Sequence, residues 1–250
     1  MSDIPNGSRD CAEFLPSRSK MPPQLPHFCN VQAFEQFLEC LDSLETNESL
    51  LHGAIAISRH FLDGPRCESV SWNIDALANS VLDRVTHKSN ETLLAHVHDV
   101  LFDTNGFEGN SANYYDVENS LLPVVMETRF GIPITLSLIY KLVANEVGLR
   151  VDGINSPGHF LARVHLSSTE SMIVDAFHGG RILTVREAIE LVSGISGADI
   201  SVADQLLRPC TNRQWLARIL NNLQSVLLNQ SRFDDVSAMR ELLVALIEPS

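Results

Sequence analysis

The segment from Gly131 to Gly148 constrains the fold more than any other part of the chain. Apolar residues follow one another so densely after Ile132 that a helix here has almost no polar side, and a helix that is apolar all round has to be buried. Pro133 suits its first turn, where the missing N–H has no helical partner. Gly148 suits a left-handed C-terminal cap. The sequence therefore predicts a central helix enclosed by the rest of the domain.

The hydrophobic period changes from helical spacing to two after this helix. Short alternating runs at 151–154, 160–166 and 172–177 are separated by turn formers at 156–158 and 167–169. Short strands joined by short turns are typical of an antiparallel sheet. Thr184 with Glu187 is a capping-box pattern, which predicts the start of a helix over 185–193.

Helical patterns flank this region on both sides. Apolar residues repeat at three and four in four stretches between 31 and 103, and Gly64-Pro65 is expected to end the second helix. Residues 213–247 predict a helical hairpin of tetratricopeptide size that ends where a further repeat would begin. We expect a disordered tail over 1–26, a helical subdomain over 27–103, a core over 104–200 and the hairpin over 201–250.

Composition excludes several function classes. The chain carries 31 Asp+Glu against 18 Lys+Arg, a formal charge of −13, which argues against nucleic acid and against an anionic membrane surface as partners. No apolar run is long enough to span a bilayer, and no secretory signal begins the chain. The cysteines are five, an odd number, and widely scattered, which favours reduced thiols and a cytoplasmic protein: Cys11, Cys29, Cys40, Cys67 and Cys210. We expect neither a metal nor a cofactor.

His159 and Asp175 are the residues that suggest chemistry. Each lies on or beside one of two sequential predicted strands, so an imidazole and a carboxylate would meet as the base and orienting acid of a nucleophilic triad. The nucleophile of such sites often lies at a helix N-terminus, and the helix at Pro133 begins just upstream. The structural alternative is a buried His–Asp hydrogen bond that only fixes the strands. His178 is close enough in sequence to line the same cleft.

Three ordered motifs carry a family resemblance, and they read Gly131-Ile-Pro-Ile-Thr-Leu-Ser137, Pro157-Gly-His-Phe160 and Val174-Asp-Ala-Phe177 followed by Gly179-Gly180. Together they resemble the second transglutaminase-like core family, that of the SirB-type, UPF0162-like bacterial proteins and a relative among the F-box proteins. The resemblance covers about residues 90–250, and more loosely 30–90. It implies an α+β, papain/transglutaminase-like core, in which a buried central helix packs against a small antiparallel sheet, with helical ends.

The resemblance also implies a degenerate site. In active transglutaminase cores a Gly-x-Cys begins the helix, a His begins the next strand and an Asp lies on the strand after it. His159 and Asp175 match the last two, but aligning Gly131 with that glycine places Pro133 at the cysteine. No cysteine lies between Cys67 and Cys210. We therefore expect a binding or regulatory module with a protein or peptide partner, and whether any enzymatic activity remains is open.

Two rival functions stay open. Thr135 or Ser137 could give its hydroxyl to His159, which would make the protein a hydrolase or acyltransferase; Cys67 approaching from the helical subdomain is a less favoured nucleophile. The other rival is an inert scaffold that acts through its helical ends. A His159–Asp175 contact opening into a pocket favours the binding module or the enzyme, whereas a fully buried pair favours the scaffold.

Further expectations concern the loop over 103–119. Its aromatic residues Phe107, Tyr114 and Tyr115 either pack it against the core or contribute to function. Asn119 and Ser120 are expected to cap the helix that follows.

Overall fold

A computed structural model describes residues 25–62, 64–197 and 203–247. The predicted tail over 1–26 lies outside the described residues except for its last two. The helices are α1 Val31–Leu41, α2 Asn47–Arg59, α3 Gly64–Leu82, α4 Asn90–His98, α5 Leu122–Thr128, α6 Pro133–Glu146, α7 Val185–Ser196, α8 Ala203–Leu206, α9 Asn212–Asn229 and α10 Phe233–Ile247. The strands are β1 Glu108–Gly109, β2 Phe130–Gly131, β3 Arg150–Ser156, β4 His159–His165, β5 Ser171–Asp175, β6 Arg181–Leu183 and β7 Pro209–Cys210.

Helix α6 is the centre of the molecule, as its sequence predicts. Every residue from Pro133 to Ala144 is buried. Pro133 occupies the first turn, and Gly148 adopts the left-handed conformation (φ 96°) just beyond the helix. One side of α6 packs on strands β3 and β4, and the other is covered by helices that include α3, α4 and α5. Burial on all sides explains why almost no polar residue interrupts the segment.

The sheet that receives α6 has five strands in the order β6-β5-β4-β3-β7, and every neighbouring pair is antiparallel. Its other face packs on α7 and α8 through a separate apolar cluster. The capping box of Thr184 and Glu187 is present at the start of α7. This arrangement confirms the predicted α+β class, with a buried helix against a small antiparallel sheet and helical ends.

The junction between α2 and α3 differs from the expectation. α2 ends at Arg59, and Gly64-Pro65 begins α3 instead of ending α2. Pro65 lies in the first turn of α3, where a helix has no hydrogen bond for its N–H to make. The expected helix end is therefore a helix start.

The C-terminal hairpin of α9 and α10 is built into the core. The Trp215 ring packs on Phe160, with ring centroids 4.5 Å apart. It also lies over Gly153, where a Cβ atom would come within 2.2 Å of the indole. One apolar cluster extends from Cys29 to Leu246. The predicted segments therefore share a core, while their boundaries and the tetratricopeptide likeness stay predictions.

The predicted loop over 103–119 is fastened to the start of α6. It begins in a π-helical turn, Asp99–Thr104, and ends in a 3-10 turn, Val117–Ser120. Between them, β1 pairs in parallel with β2, which ends one residue before the N-cap of α6. This pairing brings the loop to the N-terminal end of the buried helix. Over the described part of the chain, no helix combines the length and hydrophobicity needed to cross a bilayer.

Candidate functional site

His159 and Asp175 meet at one end of the sheet. His159 is the first residue of β4 and Asp175 the last of β5, and these strands are antiparallel neighbours. The Nε2 atom of His159 lies 3.1 Å from Oδ2 of Asp175, and the two side chains are only 4% and 1% exposed. The two candidates that the sequence singles out therefore form a buried hydrogen-bonded pair.

Asp175 is also bonded to the turn that follows it. Its Oδ1 accepts hydrogen bonds from the backbone N–H groups of Phe177 (3.1 Å) and His178 (3.4 Å). Its Oδ2 lies 2.7 Å from Nδ1 of His178. Burial opposes ionisation of this carboxyl, but the contacts with His159 and His178 outweigh burial and hold its pKa below the ordinary 3.8. Asp175 is therefore a carboxylate at neutral pH.

His178 carries this cluster to the protein surface. Its side chain is 52% exposed, although its Nδ1 atom contacts the buried carboxylate. Gly179 and Gly180 both have positive φ angles, and a Cβ atom at Gly180 would lie 2.2 Å from the Phe102 ring. Two adjacent glycines are thus needed for the turn that positions His178.

A row of aromatic rings extends from His159 toward solvent. Phe177 makes edge contacts with His159 and Tyr114, at centroid distances of 6.2 Å and 5.9 Å. Tyr114 contacts Tyr115 in turn, and Tyr115 is 72% exposed. A Cβ atom at Gly109 of β1 would come within 2.5 Å of the Phe177 ring. The close approach of β1 therefore fixes this row beside the His–Asp pair.

The three aromatic residues of the loop behave differently from one another. Phe107 is buried, and the Arg129 guanidinium lies 4.7 Å from its ring centre. Phe107 therefore packs the loop against the core. Tyr114 is partly exposed, and Tyr115 projects into solvent beside the His159–Asp175–His178 cluster. Of the three aromatic residues, only the two tyrosines are accessible to a ligand.

The start of α6 offers no nucleophile in contact with His159. Pro133 has neither a thiol nor a hydroxyl. The Ser137 hydroxyl donates a long bond of 3.5 Å to the carbonyl of Phe160. The Thr135 hydroxyl is buried and has no hydrogen-bond partner among the described residues. Nδ1 of His159, the ring nitrogen that does not contact Asp175, likewise has no hydrogen bond to any described residue.

Neither Cys67 nor Cys210 supplies the missing group. Cys67 lines a groove of about 500 Å³ between α1, α2 and α3, together with Cys40, and no contact joins it to His159 within the described ranges. Cys210 lies on β7, at the far edge of the sheet from β5 and β6. Burial raises the pKa of Cys67, and it raises that of Cys210 to about 12. Both therefore remain protonated thiols at neutral pH.

The sequence pattern does not predict the role of Asn119 in fixing the loop. Its amide donates to the backbone carbonyls of Asn113 (2.6 Å) and Tyr114, and its Oδ1 accepts from Asn110. The expected capping role is wrong, because Leu121 occupies the N-cap of α5 and makes no side-chain cap bond. A buried asparagine inside a loop with several Asn residues is a signal for such a turn-fixing network.

Known proteins similar to this chain come from bacteria and animals. A UPF0162 protein of Xylella fastidiosa is 37% identical over 157 residues, which are 62% of this chain and 56% of that protein. F-box only protein 21 of Mus musculus is 28% identical over 186 residues, 72% of this chain and 28% of that protein. A UPF0162 protein of Vibrio cholerae is 24% identical over 196 residues, 78% of this chain and 71% of that protein. This chain thus spans little more than half the length of the Xylella protein.

No solved structure matches the chain significantly. The sequence profile of the transglutaminase-like superfamily matches residues 68–221, a stretch that begins in α3, contains α6, β4 and β5, and ends in α9. The match includes the whole His159–Asp175–His178 cluster. On this match, and on the shared sequence with the UPF0162 proteins, the chain belongs to the transglutaminase-like superfamily.

Proposed function

We propose that this chain is a non-catalytic, transglutaminase-like binding or regulatory module whose degenerate site takes a peptide or protein ligand. The observation that carries the proposal is the pairing of a retained His159–Asp175 contact with a proline at the head of α6. A catalytic site of the transglutaminase type needs a sulfur nucleophile at that place.

The chemistry of the other candidate nucleophiles supports the proposal. Cys29, Cys40 and Cys67 are buried and Cys210 is partly buried, and burial raises the pKa of Cys29 to about 12 and that of Cys40 to about 11. A nucleophile has to be within hydrogen-bond reach of its base. Neither Thr135 nor Ser137 makes such a bond with His159 among the described residues. Asp175 therefore positions the His159 imidazole, but no described hydroxyl or thiol is hydrogen-bonded to it as a nucleophile.

The exposed end of the site has the groups that recognise a peptide. His178 presents its imidazole, and Tyr115 presents a ring and a hydroxyl. Tyrosine combines a large apolar area with a polar tip, which suits contacts at protein interfaces. Ring contacts through Tyr114 and Phe177 connect Tyr115 to His178, so we expect one peptide to contact both side chains.

Selection of peptides from a displayed random library on the full chain tests this proposal. We expect the selected peptides to bind Tyr115→Ala and His178→Ala at least tenfold more weakly than the unchanged chain. Trp72→Ala is the matched control, because Trp72 is an exposed aromatic residue of α3 with no ring contact to the Tyr114–Phe177 row. Equal affinity of all three variants, or a failure to select any peptide, would contradict the proposal.

A second candidate function is a hydrolase or acyltransferase that uses Thr135. The observation that favours it is the buried Thr135 hydroxyl, which has no hydrogen-bond partner among the described residues, since buried polar groups are usually paired. This function predicts labelling of one hydroxyl by a fluorophosphonate probe, lost in Thr135→Val and in His159→Ala. Ser137→Ala separates the two hydroxyls, because a Ser137 nucleophile would lose labelling only there and in His159→Ala.

The burial of His159 and Asp175 favours the third possibility, an inert scaffold. It predicts that His159→Ala and Asp175→Ala change stability alone. The exposed side chain of His178 argues against an inert scaffold, because it connects the cluster to solvent. The peptide selection decides here too, because a scaffold that acts through its helical ends would keep its ligand when His178 and Tyr115 are replaced.

A further inference from the structure

The side chains of His159, Asp175 and His178 converge in a way that the triad comparison does not account for. A triad needs one imidazole on the carboxylate, yet here two imidazoles are directed at the same oxygen, Oδ2 of Asp175. We propose that these three residues form a binding site for a divalent transition-metal ion. The inference goes beyond the proposed function and does not depend on peptide binding.

The distances between the donor atoms suit such an ion. One ligand atom from each residue lies within 4.8 Å of the other two. In a tetrahedral zinc site with bonds of about 2.0–2.2 Å, neighbouring donor atoms are about 3.3–3.6 Å apart. Oδ2 of Asp175 lies 3.1 Å from Nε2 of His159 and 2.7 Å from Nδ1 of His178. An ion therefore requires these two pairs to separate by less than an ångström.

The donor atoms of His159 and His178 must also come closer together, and His178 is the residue that can move. His159 and Asp175 are buried at strand ends, whereas the His178 side chain is half exposed in a short 3-10 turn. A rotation of the His178 ring can bring its donor atom closer to that of His159 without moving the sheet. The buried pair thus provides two fixed ligands and His178 an adjustable third.

The carboxylate is already oriented for an ion. Its Oδ1 is occupied by the backbone N–H groups of Phe177 and His178, so Oδ2 is the oxygen left for a metal. Hydrogen bonds from outside the ligand set are what usually hold metal ligands in place. The side-chain contacts with His159 and His178 favour the charged form of Asp175, which is the form that binds a cation.

The ligand set also limits the kind of ion. Two imidazole nitrogens and one carboxylate oxygen suit zinc and its neighbours in the first transition row. Calcium and magnesium prefer sites built of oxygen. Three protein ligands leave at least one coordination position for water or for a group of a bound ligand.

A second His–Asp pair in the same sheet offers a matched control. His165, at the other end of β4, lies 2.7 Å from Asp152 through Nε2 and Oδ2. No second histidine or cysteine completes a three-ligand group there among the described residues. Replacing His165 removes an imidazole–carboxylate contact from β4 without touching the proposed site.

Zinc titration of the full chain, freed of metal with a chelator and followed by calorimetry, tests the inference. We expect one equivalent of Zn²⁺ to bind, with affinity lowered at least tenfold in His178→Ala and unchanged in His165→Ala. Ca²⁺ should not compete. His178→Ala is the main variant because its exposed side chain is not part of the core, and its melting curve verifies that it is folded.

Three results would overturn the metal site: no zinc binding below a Kd of about 100 μM, equal binding by His178→Ala and the unchanged chain, or an equal loss in His165→Ala. Asp175→Asn provides a second variant, which should also lose zinc while keeping a side chain of the same shape. Peptide selection in the presence of chelator is a separate measurement, so failure of either proposal leaves the other testable.

Discussion

At the scale of single residues, Asp175 has the most unusual environment in the site. Its folded pKa lies below 3.8, so its contacts stabilise the protein above about pH 4, and this contribution is lost as the pH falls through the folded pKa. Asp175→Asn lacks the charge. We expect this variant to be less stable than the unchanged chain by about 1–3 kcal/mol at pH 7, and the difference to shrink toward pH 3. Urea unfolding at several pH values measures it.

Asp152→Asn is the control for this pH dependence. Asp152 contacts His165 and Arg150 but is partly exposed, so its replacement should change the free energy of unfolding by less than about 1 kcal/mol. Each variant is compared with the unchanged chain at the same pH. The contributions of the acid groups that both share to the free energy of unfolding then cancel. A difference for Asp175→Asn that stays constant from pH 7 to pH 3 would contradict the role assigned to its charge.

The cysteines allow a second prediction about individual residues. A free thiol, with a pKa of about 8.5, is roughly one-quarter thiolate at pH 8. Burial raises the pKa of Cys29 and Cys210 to about 12 and that of Cys40 to about 11. We expect these thiols to react with iodoacetamide at least a hundredfold more slowly in the folded chain than in urea. Peptide mapping by mass spectrometry checks this, and fast labelling of any one of the three would contradict the assignment of Cys29, Cys40 and Cys210 as unactivated thiols.

At the scale of elements, the N-terminus of α6 is the part most open to a direct test. Pro133→Cys places a thiol on the first residue of the helix, where the helix dipole favours a thiolate. If the geometry of an active transglutaminase core persists here, His159 will lower the pKa of the new thiol further. We expect a pKa below about 8, read from the pH dependence of iodoacetamide labelling.

The double variant Pro133→Cys/His159→Ala separates the effect of the histidine from that of the helix. Its thiol should have a higher pKa and react more slowly at pH 7. Loss of proline from the first turn costs about 0.4–1 kcal/mol, which both variants share. Identical labelling profiles would mean that His159 does not face the start of α6, and the comparison with active family members would fail.

Long elements could be predicted from the sequence, whereas very short ones could not. α6 and strands β3 to β5 follow from burial patterns that extend over several residues. β1, β2 and β7 have two residues each, too few to show a period of two. Gly64-Pro65 predicts a helix end from the sequence alone, but glycine and proline are common both before and after helices. The secondary structure of such segments depends on contacts with residues distant in the sequence.

The candidate site, like the fold, could be predicted only in part from the sequence. The order of His159 and Asp175 on sequential strands, with the family resemblance, was sufficient to expect their contact. That His178 would share the same carboxylate oxygen was not, because it depends on a left-handed turn at Gly179 and Gly180. Sequence spacing shows that His178 is near but not which way its ring points.

At the scale of the whole molecule, the helical ends and the sheet form one structure. The Glu241 carboxylate of α10 accepts hydrogen bonds from the backbone N–H groups of His27, Phe28 and Cys29, just before α1. Asn212 at the start of α9 donates to the carbonyls of Leu44 and Thr46. The two ends of the described chain thus hold each other around α6. We therefore expect the described residues to unfold together in one cooperative step.

Trp215 joins these parts, since it belongs to the hairpin and packs on the sheet over Gly153 and Phe160. We expect Trp215→Ala to lower the free energy of unfolding in urea by about 3–5 kcal/mol. The hairpin and the rest of the domain should still unfold together in this variant. Far-UV circular dichroism and proteolysis of α1 should therefore give the same urea midpoint. An independent hairpin would instead give two transitions, the first of them sensitive to Trp215.

Two further replacements make this prediction specific to packing on the sheet. Leu228→Ala removes an exposed side chain from the same helix, so it should change stability by less than about 0.5 kcal/mol. Trp215→Phe keeps an aromatic ring on Gly153 and removes an indole N–H that is buried without a partner among the described residues. Because an unpaired buried N–H costs about 1–3 kcal/mol, this variant should lose clearly less than Trp215→Ala. Equal losses in both variants would show that the ring itself does not hold the hairpin to the sheet.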